Sequence, residues 1–94
     1  MENTVTLQAV VGAIRTSGHA SRRRSKGGIG RTSGMYAYRG IDDKIFIVFT
    51  NGDGIYNDNW LNIEKKIWDS VNAHLATKGM KVEKYNGQKI VVAA

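Results

Sequence analysis

Large apolar side chains vanish from residues 18–34, GHASRRRSKGGIGRTSG, where Ile29 is the one exception. Any core must therefore come from the segments on either side. Gly18, Gly27, Gly28, Gly30 and Gly34 also make regular structure costly there, because glycine loses the most backbone freedom on ordering. The stretch reads as a mobile loop, with a helical extension through Arg22–Arg24 as a variant. Loops this long inside small domains are usually functional or disordered.

The flanks supply an α+β fold. Ninety-four residues predict a single domain, 1–94, with a small core. Residues 4–16 carry two patterns: Leu7, Val10, Val11 and Ile14 share one helix face, whereas Val5, Leu7, Ala9, Val11 and Ala13 alternate as in a strand. We read a helix, capped by Thr4 or Thr6 and stopped by Gly18. Residues 35–94 form the main αβ core. MYAYR (35–39) and KIFIVFT (44–50) read as strands joined by a turn over Gly40–Asp43. The second strand is apolar on both faces, so it should be central or covered on both sides. TNGDGIYNDN (50–59) is turn chemistry with room for a short strand at Ile55-Tyr56. Asn57, Asp58 or Asn59 then caps a long helix from about Trp60 to Lys78. Its stripe is Trp60, Ile63, Ile67, Val71 and Leu75, with Leu61 and Trp68 beside it. Gly79 ends it, and MKVEKY-NG-QKIVVA (80–93) reads as a hairpin on a type I′ turn. The expected architecture is an antiparallel sheet of three to five strands packed on the long helix. The order α-loop-β-β-(β)-α-β-β resembles the start of a double-stranded-RNA-binding domain, with Lys65 and Lys66 where that family has a basic cluster.

Charge is unevenly distributed. The net charge is +6, but residues 3–41 hold no acid while Arg15, Arg22, Arg23, Arg24, Lys26, Arg31 and Arg39 lie there. From residue 42 onward, Lys44, Lys65, Lys66, Lys78, Lys81, Lys84 and Lys89 balance Asp42, Asp43, Asp53, Asp58, Glu64, Asp69 and Glu83. Such asymmetry points to a polyanionic partner. The choice of arginine fits phosphate, because a guanidinium forks onto two oxygens and stacks on bases.

Candidate chemistry follows from these groups. Arg15, Arg22, Arg23, Arg24, Lys26, Arg31 and Arg39 are the expected nucleic-acid contacts. Tyr36 and Tyr38 share one strand face beside Arg39, where two rings at i, i+2 would stack on bases. Packing beneath the long helix against Ile45 and Ile47 is the other placement open to them. YAYRGIDD (36–43) resembles a string in single-strand-annealing recombinases of the ERF type. That family continues into a helix where KIFIVFT reads as a strand, so no residue role is carried over. His19 is a weak catalytic candidate, near neutrality by type yet without a carboxylate or second histidine at useful spacing; His74 reads as a helix-boundary residue. Asp53, Asn57 and Asp58 fail a calcium-loop pattern because Ile55 occupies a ligand position. No metal signature and no cofactor motif is present, since GGIG and GRTSG match neither a dinucleotide fingerprint nor a Walker loop.

The sequence thus predicts a non-enzymatic nucleic-acid-binding module of low sequence specificity, with single-stranded RNA or DNA favoured by the loop. Two other readings stay open: a phage- or plasmid-type inhibitor docking on an acidic protein surface, and a small ribonuclease toxin using His19. Glu2 stands where a signal peptide carries Lys or Arg, and the first apolar run is too short to span a bilayer. With no cysteine to form disulfides, the expectation is a cytoplasmic protein without a membrane partner.

Overall fold

The computed structural model describes residues 5–22, 32–50 and 60–94, with Trp60 described by its backbone alone. The first element is α1, Leu7–Ser17. Thr6 caps it by accepting the Ala9 N–H at 3.1 Å, and Gly18 ends it in the left-handed region at φ 81°. Burial of Val10, Ala13 and Ile14 follows the helical spacing, so the i, i+3, i+4 pattern prevails over the alternating one. Thr4 lies outside the described residues.

Strands β1 (Gly34–Arg39) and β2 (Ile45–Thr50) form an antiparallel hairpin, pairing Tyr38 with Phe46 and Ala37 with Ile47. A tight turn over Ile41–Asp43, with Asp42 and Asp43 at positive φ, joins them. Helix α2 spans Trp60–Thr77, and β3 (Met80–Tyr85) and β4 (Gln88–Ala93) make the second hairpin. Asn86 and Gly87 both have positive φ, 48° and 79°, as a type I′ turn requires. The sheet order is β1-β2-β4-β3, with every named neighbour antiparallel. The described residues run α-β-β-α-β-β; the Ile55-Tyr56 strand and the Asn57–Asn59 cap fall outside them.

Both helices lie on the same face of the sheet. Val10, Ala13 and Ile14 of α1 and Ile67, Val71 and Leu75 of α2 meet Met35, Ile45, Ile47, Met80 and Val91 in one buried cluster. The strand contributors sit at alternate positions, as pleating demands. The apolar stripe of α2 is only partly used: Leu61 and Ile63 remain 62% and 41% exposed. No described helix is long and apolar enough to cross a membrane.

The free edge of β1 is partly covered by the chain leaving α1. Ala20 forms a parallel bridge with Met35, the Met35 N–H donates to the His19 carbonyl, and the Ser21 N–H donates to the Met35 carbonyl, both at 2.8 Å. Gly34 permits this approach. Its φ is 145°, and a Cβ there would press on the His19 carbonyl and lie 2.9 Å from the Ser21 nitrogen. Gly34→Ala should therefore lower stability by more than about 1 kcal/mol in urea unfolding, since both backbone angle and space oppose it. Leu75→Ala, at a fully buried position, should cost about 2–5 kcal/mol in the same measurement.

Candidate functional site

The described residues that flank the basic segment form a bonded neck. The Ser21 hydroxyl donates to the Thr32 carbonyl at 2.7 Å and the Arg22 N–H donates to the Thr32 hydroxyl at 3.0 Å. The Thr32 N–H returns to the Arg22 carbonyl at 3.0 Å. Arg22 and Thr32, on either side of the basic run, are thereby held together. The Ser21 and Thr32 hydroxyls are both engaged with backbone groups here. Arg23, Arg24, Lys26 and Arg31 lie outside the described residues.

Arg15 and Arg22 converge on this neck. Together with Gly18, Ala20, Ser21 and Thr32 they line an open concavity of about 810 Å³. Arg15 comes from the last turn of α1, where its charge also favours the helix dipole. Arg15, Ala20 and Ser21 also border a smaller hollow of about 190 Å³ that reaches Tyr36. Arg39 is not part of this group. It stands at the other end of β1, paired with Asp43 at 3.2 Å, and both side chains are at least half exposed. A pair so open to water contributes at most about 1 kcal/mol, but it compensates the Arg39 charge locally.

Tyr36 and Tyr38 lie on the sheet face opposite the helices. Met35 and Ala37 take the helix side, so strand alternation sends the two tyrosines the other way. They do not pack under α2. Instead they begin a row of rings that crosses the sheet. Tyr36 and Tyr38 are stacked at 6.3 Å between centroids, Tyr38 and Phe46 at 5.4 Å, and Phe46 meets Tyr85 edge-on at 6.1 Å. Phe46 is buried outside the cluster beneath α1 and α2, flanked by these rings and paired with Ile90 of β4. Gly40 makes room for it: a Cβ would sit 2.6 Å from the Phe46 ring and 3.3 Å from Tyr38. Tyr38 is the open member of the row, at 37% exposure.

The far end of the row is held by the β1–β2 turn. The Tyr85 hydroxyl donates to Asp42 Oδ2 at 2.8 Å, and the Lys44 ammonium lies 5.2 Å from the Tyr85 ring centroid. Asp42 and Asp43 both occupy the left-handed region, at φ 58° and 60°. Phe46, Tyr85 and Lys44 are site neighbours that sequence reasoning did not pick out. The available signal was the second apolar face of KIFIVFT together with the turn at Asn86-Gly87, which fixes the parity of Tyr85 on β3.

Neither histidine assembles a catalytic group among the described residues. His19 is used through its backbone, which joins the β1 edge. His74 donates from Nδ1 to the Ser70 carbonyl at 2.8 Å, one turn back in α2. No cluster of three or more His, Asp or Glu suited to a metal occurs among the described residues. No family model matches the chain, and neither a curated protein nor a solved structure is similar to it at a significant level.

The Tyr85–Asp42 contact makes a titration prediction. The hydrogen bond to Asp42 and partial desolvation favour the protonated phenol, as does the nearby carboxylate charge, so the Tyr85 pKa lies above its ordinary value of 10.0. The bond is intact below that value and is lost as pH rises through the raised pKa. Asp42→Asn should return Tyr85 toward the ordinary range, read from the ultraviolet band of tyrosinate. An unchanged titration would show that Asp42 does not hold the hydroxyl.

Proposed function

We propose that this chain is a non-enzymatic module that binds nucleic acid along its phosphate backbone with low sequence specificity. Arg15, Arg22, Arg23, Arg24, Lys26 and Arg31 make the contacts. The observation that carries this reading is the neck. Bonding between Arg22 and Thr32 holds together the residues on either side of the run with Arg23, Arg24, Lys26 and Arg31, beside the Arg15 and Arg22 side chains. With no acid between residues 3 and 41, these cations are not neutralised by sequence neighbours. Concentrated guanidinium charge draws in a polyanion and releases its counterions.

Specificity is low because the segment is short of the Asn and Gln side chains that, with Arg, read base edges. The αβ body anchors the segment, and the β1 edge fixes where it emerges. Arg39 is a lesser contributor in this reading, since Asp43 already balances it.

Binding of the full chain to random-sequence oligonucleotides, measured across a range of salt concentrations, tests the proposal. If all six cations contact phosphate, log K against log salt should have a slope of about −4 to −5. Each Arg→Gln change in the set should flatten it by roughly 0.7–0.9. An absence of binding at low salt would reject the reading in favour of an acidic protein surface as the partner.

A further inference from the structure

We infer that the sheet face opposite the two described helices is a base-stacking surface centred on Tyr38, which makes unpaired, single-stranded nucleic acid the ligand of this module. The inference rests on the phosphate-binding reading and adds to it the part of the ligand that the cations do not touch.

Three observations carry it. The first is the row Tyr36–Tyr38–Phe46–Tyr85, with neighbouring centroids 5.4 to 6.3 Å apart. Rings on a β-surface whose purpose is burial are normally covered by another layer, yet both described helices pack on the opposite side. Tyr38 stays 37% exposed at the centre of the row, while Phe46 is buried and supports it.

The second is charge. The charged groups on this face are already balanced: Lys81 pairs with Glu83 at 3.5 Å, while Asp42 accepts the Tyr85 hydroxyl and Lys44 lies over that ring. Such a surface offers little to a phosphate but suits the flat, uncharged π-face of a base. The third is continuity. Arg15 lines both the concavity at the neck and a hollow between α1 and β1 that Tyr36 borders together with Met35 and Ala37, so the cationic neck lies beside the strand that carries Tyr36 and Tyr38. A strand held by its phosphates at the neck would lay its next bases toward Tyr36 and Tyr38. In a duplex those π-faces are buried against neighbouring pairs, so stacking of this kind selects single strands.

The test uses the full chain with labelled single-stranded DNA, single-stranded RNA of the same sequence, and the corresponding duplex, followed by fluorescence anisotropy. Both single strands should bind more tightly than the duplex, and any gap between the RNA and DNA arms reports the 2′-hydroxyl. Tyr38→Leu keeps an apolar cover over Phe46 but removes the π-face. It should weaken single-strand binding about 5- to 100-fold with the salt slope unchanged, and leave duplex binding as it was. Tyr38→Phe should bind like wild type. Tyr38→Trp should add an indole emission that single strands quench and the duplex does not. If Tyr38→Leu binds single strands as well as wild type, or the duplex binds as tightly as the single strands, the stacking surface is refuted. Salt-dependent binding would then still support the phosphate reading, whereas failure of every oligonucleotide to bind at low salt would remove both.

Discussion

Strand β2 is apolar on both faces, and the described helices cover only one. Ile45 and Ile47 enter the cluster beneath α1 and α2, which leaves Phe46 on the far side with the same need for burial. No third layer of described residues meets that need. The sheet does so with its own side chains: Tyr38 from β1 stacks on the Phe46 ring, Tyr85 from β3 approaches its edge, and Ile90 from β4 stands opposite it. Aromatic pairs of this geometry add about 0.5–1.5 kcal/mol beyond area burial. The row of rings is thus first a solution to a packing problem. Its position on the face opposite both described helices is what makes it a candidate contact surface.

The second organising element is the β1 edge. An edge strand presents unpaired backbone groups that invite unwanted pairing. Here the chain leaving α1 satisfies two of them at Met35, and the same few residues then deliver Ser21 and Arg22 to their bonds with Thr32. One short stretch therefore protects the sheet and ties Arg22 to Thr32 on the far side of the basic segment. Gly34 is the residue that lets the two backbones come close enough.

Much of this was legible in the residues. The α1 cap at Thr6, its stop at Gly18, the Asn86-Gly87 turn and the strand at 45–50 are local matters, and each occurs as the pattern predicts. The α2 stripe is correct in its Ile67, Val71 and Leu75 portion, while Leu61 and Ile63 face outward. A stripe announces what a helix can bury, and the partner surface decides how much it does. The candidate site was legible only in part. Arg15 and Arg22 were named as one group with Arg39, yet the length of β1 separates Arg39 from the neck. Tyr85 was missed because its link to Tyr38 passes through Phe46 and spans the whole sheet.

By itself the sequence determined the type of the four strands and of α2, the alternation that puts Tyr36 and Tyr38 on one face, and the crowding of arginine into the first part of the chain. These are set by neighbours a few residues apart, through backbone preference, period and charge. Only the tertiary structure decided which face those tyrosines occupy and which cations meet. Pleating says that two rings point the same way but not where the helices will lie. That choice came from the register of β1 on β2, which aligns Ala37 with Ile47, and from both helices settling on that same side, where Met35 and Ala37 join the core.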